Sequence, residues 1–434
     1  MRPGADKFTA EPSAAGPVLF PATRAYRGRL LTPIAGEPAP RYLDDALLIV
    51  AEGGRIELVG PFSPNAFQGP VLDLRPAVLL PGFIDAHLHF PQTRIIGSAS
   101  GPLLDWLERS VFPEEARFVD GEYAAIVAGE FSRRLLAAGT TTCAAFSSSS
   151  PQATDILFER LRRVGLRAIA GLTLMDQACP EALRLGVEDA IPAARDLVQK
   201  WHGAAAGLLH VAVTPRFALS CSRPLLQAAA QLAADHRLLI QSHVSENPSE
   251  GEATLQAHPY AADYLDVYDQ VGLLTDRTVL AHAIHLSPRE WDRLAEAGAR
   301  VVHCPDSNFF LGSGRMPLGE ARARGVPLGL GSDVGAGRSF DMRRAMSSAF
   351  DSALSTGTRL APDDLLRAAT LGAAEALGLA ASIGSLEPGK EADFIVMALP
   401  DHVRTEAEVI AQITFASDTA TVQRAYVRGA QVHP

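Results

Sequence analysis

Several features are scarce in this sequence, and each scarcity excludes a class of protein. No run of apolar residues reaches the roughly 18 needed to cross a bilayer, so the sequence predicts no membrane-spanning helix. The formal net charge of −10 argues against a binder of duplex nucleic acid, which needs a basic face. The stretch 1–16 is polar, rich in alanine, proline and glycine, and lacks an apolar signal core. We therefore expect it to be a loose tail of a cytoplasmic protein.

Cysteine and lysine are also rare. The cysteines lie far apart and form no Cys-x-x-Cys pair, which argues against a cysteine zinc site or a redox pair. We expect free, buried thiols at these positions, which are Cys143, Cys179, Cys221 and Cys304. The lysines are Lys7, Lys200 and Lys390, and their positions limit the kind of metal site that the chain can build.

The two ends of the chain are rich in short strands, whereas its centre is not. In the first part, alternating apolar runs on either side of Gly53-Gly54 predict a β-hairpin. Two strand-like runs near the C-terminus, 392–397 and 422–432, have a similar pattern. We therefore expect a small β-sandwich domain that is assembled from both termini, 17–76 and 385–434, around a central domain at 77–384.

The centre alternates short apolar strands with helical segments rich in alanine, leucine and arginine. Ala125–Leu136 and Pro224–Asp235 are the clearest helices. The eight candidate strands are Val78–Asp85, Thr140–Phe146, Leu166–Leu174, Leu208–Thr214, Leu238–Ser242, Arg277–Ala281, Arg300–Val302 and Pro327–Gly331. Eight such units predict an α/β fold of the (β/α)8 TIM-barrel type, with a doubly wound sheet as the alternative.

Polar residues capable of chemistry follow these predicted strands at their carboxyl ends. They are His87 and His89 after the first strand, Arg216 after the fourth, His243 after the fifth, His282 after the sixth, His303 after the seventh and Asp333 after the eighth. In a barrel the carboxyl ends of all strands converge on one mouth, where active sites of this fold lie. The strand count and the distribution of these polar residues favour the barrel over the doubly wound sheet.

The residue types at this mouth are those of a catalytic metal site. His87 and His89 are two residues apart, so on a strand both side chains project from one face. With His243 and Asp333 they provide the ligands that zinc prefers, and a catalytic zinc keeps one further position open for water. Bound zinc lowers the pKa of that water to about 7. Imidazole and carboxylate ligands also suit iron or manganese.

Three side chains are candidates for moving protons at this site. Glu246 lies three residues after His243, where its carboxyl group can protonate a substrate. Asp333 could accept the proton of the metal-bound water, and His282 could orient that water or stabilise developing charge. His285 competes with His282 for this role, but His282 directly follows an apolar strand. His303 fits a structural role as well as a catalytic one.

The lysines favour one metal ion rather than two. Two-metal sites of this arrangement bridge their ions with a carboxylated lysine after the fourth strand. Lys200 precedes that strand, Lys7 lies in the predicted tail and Lys390 in the small β domain. We therefore predict a single ion per chain.

The segments that carry these residues resemble the amidohydrolase superfamily, in motifs that include Pro-Gly-Phe-Ile-Asp-Ala-His-Leu-His89 and the His-x-x-Glu that begins at His243. Within it, further segments are similar to the guanine deaminase family. These are His89-Phe-Pro-Gln92, Leu103–Glu108 with Phe112-Pro113, Val213–Cys221, Gln241–Asn247 and His303–Asn308. The Thr-Pro-Arg-Phe run within Val213–Cys221 is the most specific of them, because it is not part of the superfamily motifs.

This resemblance implies a zinc hydrolase that turns guanine into xanthine and ammonia. It also implies that Gln92, Arg216 and Phe217 hold the purine. The chemistry of these side chains is suitable, because Arg216 offers a planar fork of donors, Gln92 offers a donor and an acceptor, and Phe217 offers a flat apolar wall. Relatives of this kind are commonly dimers, so the resemblance further implies a homodimer.

Two other functions stay open at this level. The first is a deaminase of another aminopurine or nucleoside, or a triazine hydrolase, in the same superfamily. The second is a scaffold that binds metal without catalysis. The Gln92, Arg216 and Phe217 set argues against the first, and the presence of both Glu246 and Asp333 argues against the second.

Overall fold

The computed structural model describes residues 23–98 and 101–434. The predicted tail, 1–16, lies outside the described residues. Two sheets organise the described part, one formed by both ends of the chain and one by its centre. No helix in this part is long and apolar enough to cross a membrane.

The strands are numbered here in chain order. They are β1 (Arg24–Thr32), β2 (Arg41–Val50), β3 (Ile56–Pro61), β4 (Val71–Pro81), β5 (Phe83–His89), β6 (Thr140–Phe146), β7 (Arg167–Gly171), β8 (Thr173–Leu174), β9 (Leu209–Pro215), β10 (Leu239–Val244), β11 (Thr278–His282), β12 (Arg300–His303), β13 (Leu328–Leu330), β14 (Phe394–Ala398), β15 (Thr421–Val427) and β16 (Ala430–His433). Those before Gly82 and after Asp393 belong to the sheet of the two chain ends.

That terminal sheet is mixed and continuous, in the order β16-β15-β14-β4-β1-β2-β3. Where the sequence predicted a sandwich, the strands are hydrogen-bonded into this one sheet. The predicted hairpin is confirmed, because β2 and β3 pair antiparallel with Leu48 opposite Val59. One face of the sheet packs Tyr26, Phe394 and Tyr426 together, with the Phe394 and Tyr426 rings stacked 4.3 Å apart. The division at residues 76/77 and 384/385 stays a prediction.

The first predicted barrel strand, Val78–Asp85, is divided between the two sheets. β4 remains in the terminal sheet as far as Pro81, and only β5 enters the barrel. Gly82 separates them at a point of close contact, where a Cβ atom would lie 2.0 Å from Oγ1 of Thr141. The apolar run gave no sign of this division, because residues buried in either sheet are equally apolar.

The central sheet is the predicted barrel of eight main parallel strands, in the order β13-β12-β11-β10-β9-β7-β6-β5, with β8 added beside β9. It is nearly closed. Backbone hydrogen bonds that follow β13 complete the ring against β5, from Asp333 N to His87 O at 2.8 Å and from His89 N to Val334 O at 2.9 Å. The fold class predicted from the sequence is therefore confirmed, and residues after β13 are held directly beside the paired histidines.

Amphipathic helices cover the outside of the barrel. The longer ones span Gly121–Ala137, Pro151–Val164, Val187–Trp201, Arg223–His236, Pro248–Ala257, Pro288–Glu296, Met342–Ser355 and Glu406–Phe415. Shorter ones span Leu103–Trp106, Phe112–Glu115, Tyr264–Asp269, Pro305–Phe310, Leu318–Ala323, Pro362–Ala368 and Leu371–Ala376. Ser150 and Ser222 each begin a helix by accepting a backbone N–H in the first turn, with a proline at one of the first two helical positions. Both predicted helices, Ala125–Leu136 and Pro224–Asp235, lie within observed ones.

A buried ion-pair network joins the two sheets at the start of β7. Nε of Arg167 lies 2.8 Å from Oδ2 of Asp393, and its Nη2 contacts the Glu391 carboxylate. Arg428 also binds Glu391, at 2.6 Å. Arg167 is the first residue of its strand, so this network lies at the amino end of the barrel, away from the mouth.

Candidate active site

One cavity at the carboxyl ends of the barrel strands contains most of the predicted site. The predicted residues in its wall are His89, Gln92, Arg216, Phe217, His243, Glu246, His282 and Asp333. Leu103, Trp106, Leu107 and Leu311 supply apolar surface around them. His87 lies just behind the wall, in contact with Asp333.

Four imidazoles and one carboxylate form a cluster at the base of this cavity, here called the histidine cluster. Oδ1 of Asp333 lies 3.3 Å from Nε2 of both His87 and His89. Nε2 of His243 lies 3.2 Å from Nε2 of His89, and Nε2 of His282 lies 3.7 Å from Oδ2 of Asp333. Strands that are distant in sequence therefore bring five potential ligands to one point.

Hydrogen bonds to the far nitrogens orient two of these imidazoles. Nδ1 of His243 donates to the backbone carbonyl of Arg216, and Nδ1 of His282 donates to Oδ1 of Asn308 at 2.9 Å. A neutral imidazole carries one proton, so each Nε2 is left with its lone pair directed into the cluster. Such partners are typical of histidines that bind metal.

The cluster fits a metal ion. Nε2 of His87 and of His282 are buried without a hydrogen-bond partner among the described residues, which is costly unless a cation occupies the space between them. One ligand atom from each of His87, His243, His282 and Asp333 lies within 4.8 Å of the others, so these four could hold one ion. The set predicted from the sequence has His89 in place of His282, and the distances place both histidines within the cluster.

The protonation states also suit a metal site. Burial lowers the pKa of His87, that of His89 to about 4 and that of His243 well below the usual value, so these imidazoles are neutral at pH 7. Burial alone would raise the pKa of Asp333, but the adjacent His87 and His89 imidazoles hold it well below its usual range. The cluster therefore presents neutral nitrogens and one carboxylate.

The backbone at two of these residues lies in the left-handed region. The φ angle is 74° at His282 and 50° at Asp333, in a region that costs a non-glycine residue roughly 1 kcal/mol or more. Ser332 helps to hold this turn, because its backbone N–H donates to Oδ1 of buried Asp85 at 2.9 Å and its hydroxyl contacts Oδ2 of that residue. Such strain is concentrated at functional sites, where surrounding contacts determine the conformation.

Glu246 lies beside the histidine cluster in a different environment from Asp333. Oε2 of Glu246 is 3.4 Å from Nε2 of His282, and Oε1 accepts a 3.0 Å hydrogen bond from the Ser313 hydroxyl. Burial, with a smaller contribution from the charge of Asp333, raises the pKa of Glu246 to about 8. Two buried carboxyl groups thus differ in proton affinity, as expected of an acid and a base in one site.

The backbone of Glu246 is held by the helix that follows it. Asn247 caps the helix Pro248–Ala257, and the Glu250 side chain completes a capping box. Oε2 of Glu250 accepts from the backbone N–H of Glu246 at 2.9 Å, and the Tyr264 hydroxyl donates to Oε1. The Asn-x-x-Glu spacing was visible in the sequence, but its use in fixing Glu246 was not predicted.

The residues expected to hold a purine lie together in the cavity wall. Arg216 follows β9 and is 4% exposed, and Phe217 is equally buried beside it. Oε1 of Gln92 accepts the backbone N–H of Gly335 at 3.1 Å, while its Nε2 donates to Oε1 of Glu115 at 3.1 Å. The other oxygen of Glu115 accepts from Nη1 of Arg216 at 2.6 Å.

Residues whose roles the sequence left open lie outside the cavity wall. Nε2 of His285 donates to the backbone carbonyl of Ser313 at 2.8 Å, so its contact is with the loop beside Glu246. His303 ends β12, is fully buried, and has no hydrogen-bond partner among the described residues at either ring nitrogen. Burial and the nearby His282 lower its pKa to about 3, which keeps His303 neutral.

Besides Glu250, sequence reasoning missed three polar residues that support the site, Glu115, Asn308 and Ser313. Asn308 ends the segment His303–Asn308 that carries part of the family resemblance, but its contact with His282 joins two elements that are separate in sequence. Ser313 lies in a glycine-containing loop with no local signal. Glu115 follows another glutamate in a short helix, a pattern more typical of a solvated surface than of a side chain that is 2% exposed.

Comparison with known proteins agrees with this geometry. The Amidohydrolase family profile matches residues 78–432. Guanine deaminase of Escherichia coli is 36% identical over 394 residues, which are 90% of this chain and 88% of that protein. Its solved structure has a TM-score of 0.90 at 35% identity and covers 94% of this chain and 99% of that one.

Two further solved structures resemble this chain. One is guanine deaminase from C. acetobutylicum with guanine bound in its active site, with a TM-score of 0.89, 29% identity, and coverage of 94% of this chain and 99% of that one. The other is an adenosine deaminase from Xanthomonas campestris with bound zinc, with a TM-score of 0.84, 26% identity, and coverage of 96% of this chain and 93% of that one.

Proposed function

The chain belongs to the amidohydrolase family, and we propose that it is a metal-dependent hydrolase that deaminates guanine to xanthine and ammonia. The observation that carries this proposal is that Gln92, Arg216 and Phe217 line the same cavity as the histidine cluster and Glu246. A flat heterocycle can therefore be gripped by donors and an aromatic wall while one of its ring carbons faces the groups that promote hydrolysis.

The purine is held by shape and by hydrogen bonds. Phe217 supplies a flat apolar surface, together with the leucines and Trp106 that also line the cavity. Arg216 and Gln92 donate N–H groups to acceptors on the ring, and both are buried where competition from water is weak. Guanine fits this arrangement because O6 and N7 are adjacent acceptors on the side of the ring remote from C2.

The reaction itself adds water at C2 and releases ammonia. A bond forms between the water oxygen and C2, and the bond from C2 to the exocyclic amino nitrogen breaks. Glu246, whose pKa burial raises to about 8, is protonated at neutral pH and delivers its proton to a ring nitrogen. Asp333 is an anion and takes the first proton that the water loses, which then leaves with the amino group. The second proton of the water leaves the C2 hydroxyl as the carbonyl forms and returns to Glu246, which restores the acid. His282, with Nε2 as an acceptor, orients the water.

We propose zinc as the ion, one per chain, with His87, His89, His243 and Asp333 as its ligands. When bound, a divalent ion would supply Lewis acidity that lowers the pKa of water to about 7. Neutral imidazoles and a carboxylate anion are the donor set that zinc prefers, and iron or manganese would also be accepted. The zinc bound to the adenosine deaminase from Xanthomonas campestris supports this choice.

The decisive experiment follows the ultraviolet spectra of guanine, adenine and adenosine with purified, metal-analysed protein. We expect guanine alone to be consumed, with xanthine and ammonia formed in equal amounts. Turnover of adenosine without guanine would replace this proposal by another aminopurine deaminase. A protein that binds zinc and turns over none of the three would be the non-catalytic scaffold.

We further propose that the protein acts in the cytoplasm, in purine catabolism, and forms a homodimer. The four cysteines are all free, as is usual in a reducing compartment. Cell fractionation and sedimentation analysis test the location and the assembly separately from the activity.

A further inference from the structure

Glu115 lies outside the cavity wall and binds two of the residues proposed to hold the substrate. It ends the short helix Phe112–Glu115, and its carboxylate lies between Gln92 and Arg216. Gln92 and Arg216 line the cavity, whereas Glu115 is not part of the cavity wall. Its two oxygens contact different partners, so one carboxylate fixes two side chains that follow β5 and β9.

These contacts determine which way round the Gln92 amide lies. Its oxygen faces the N–H of Gly335 and its nitrogen faces the Glu115 carboxylate. If the amide were reversed, its carbonyl would face the carboxylate and its NH₂ group would face an N–H, which are both repulsive arrangements. Because Glu115 is a charged acceptor, Nε2 of Gln92 stays directed towards it. The second N–H of Nε2 is then available to donate a hydrogen bond to a ligand.

Glu115 also holds Arg216, which can offer only donors to a ligand. An arginine side chain carries only donors, and Nη1 is held by Glu115 at 2.6 Å. Both residues lie almost without solvent contact, Gln92 at 1% exposure and Arg216 at 4%. The edge that they present to a ligand consequently offers donors, and a ligand that brings a further donor there leaves buried N–H groups unpaired.

We propose that Glu115 is a positioning residue that, by fixing the Gln92 amide as a donor and holding Arg216 beside it, selects purines with an oxygen at position 6 over those with an amino group there. This inference rests on the proposed function, because it assumes that a purine occupies the cavity. An oxygen at position 6 beside unprotonated N7 offers two adjacent acceptors. These atoms flank C5, the ring atom opposite C2, so gripping them leaves C2 free to face the histidine cluster.

The test compares hypoxanthine with adenine as competitive inhibitors of guanine turnover. Neither carries an amino group at C2, and they differ in whether position 6 bears an oxygen or an amino group. For the wild-type protein we expect hypoxanthine to bind roughly 10- to 100-fold more tightly, the cost of leaving a buried donor unpaired. In Glu115→Gln the amide at position 115 can pair with Gln92 in either orientation, so only the Gly335 N–H still orients Gln92. The ratio should therefore fall severalfold, while the Arg216 donors keep it above one.

Two further variants separate positioning from folding. Glu114→Gln is the matched control, because Glu114 is buried in the same helix but contacts Arg117 and Tyr123, and its inhibition ratio should equal that of the wild type. Glu115→Asp keeps the charge but draws the carboxylate back, so its ratio should lie between the other two. If Glu115→Gln does not fold, Glu115→Asp carries the test.

The outcomes distinguish this inference from the proposed function. A wild-type protein that does not turn over guanine rejects the proposed function. A wild-type protein that turns over guanine but binds both inhibitors equally rejects the role of Glu115. The same role is rejected if Glu115→Gln, or Glu115→Asp in its place, weakens both inhibitors in parallel and leaves the ratio unchanged, since that is the result of a structural effect alone.

Discussion

Nε2 of His89 lies 3.2 Å from Nε2 of His243, although 154 residues separate the two in the chain. The Arg216 carbonyl fixes the proton of His243 on Nδ1, so its Nε2 carries a lone pair that is directed towards His89. Burial lowers the pKa of both imidazoles, so both are neutral at pH 7 and no charge repulsion separates them. An ion shared by them, with Asp333 close by, accounts for this arrangement.

The first prediction concerns removal of that ion. Dialysis against a chelator should abolish guanine turnover, and one equivalent of zinc per chain should restore it, because a neutral imidazole cluster retains little ability to activate water. His243→Ala should lower both metal content and activity, whereas His402→Ala, at an exposed position, should change neither. Full activity in a metal-free preparation, or two ions per active chain, would contradict the single-metal site.

The second prediction concerns Glu246. Glu246→Gln should lower kcat by roughly 100- to 10,000-fold, the usual contribution of a general acid, while the bound metal remains. The metal should remain because Glu246 contacts His282 rather than the paired imidazoles of β5. Steady-state kinetics and metal analysis on the same sample check both parts. Glu252→Gln, an exposed position on the following helix, is the control, and loss of metal together with activity would show that Glu246 acts as a ligand.

The third prediction is a pH dependence with a defined sign. Glu246 must be protonated to act as an acid, and burial raises its pKa to about 8, so kcat/KM should be constant near pH 7 and fall as the pH rises through about 8. The Ser313 hydroxyl stabilises the carboxylate form and so lowers the pKa of Glu246. Ser313→Ala should therefore move the basic limb of the profile to higher pH. Ser355→Ala, remote from the cavity, should leave the limb in place, and a shift to lower pH in Ser313→Ala would reverse the assignment.

The fold was predictable where one strand belongs to one sheet. The β6 strand, Thr140–Phe146, has the bounds that its apolar run predicts, since turn residues end it on both sides. Val78–Asp85 is predicted as one strand, although it crosses from the terminal sheet into the barrel at Gly82. Apolar residues record burial but not the sheet in which they are buried, so periodicity alone could not locate the change.

The site residues that directly follow barrel strands were predictable from the sequence. His243, His282 and Asp333 meet because parallel strands of a barrel deliver their carboxyl ends to one mouth. Glu115 was not predictable, because its burial is stabilised by an ion pair with Arg216, which lies 101 residues away. A buried carboxylate needs a partner such as Arg216 to balance its charge, and a single sequence does not show which distant residue is that partner.

The fourth prediction concerns Arg167, which joins the barrel to the terminal sheet. Its side chain is 4% exposed and pairs with Asp393 at 2.8 Å and with Glu391. Arg167→Met would leave buried carboxylates without their main cation, and we expect the free energy of unfolding to fall by about 3–5 kcal/mol. Urea denaturation followed by fluorescence measures this change. Arg162→Met is the matched control, because the Arg162 side chain is 44% exposed and its surface pair with Glu159 should contribute less than about 1 kcal/mol.

The same substitution distinguishes a stabilising network from a part of the active site. Arg167 begins β7, whereas the histidine cluster lies at the opposite end of the barrel, so folded Arg167→Met should keep its metal content and its KM for guanine at 25 °C. A change in stability of less than about 1 kcal/mol would mean that Arg428, which also binds Glu391, replaces the lost charge. A large loss of kcat without a loss of stability would instead require coupling between the two ends of the barrel, which the positions of these residues do not predict.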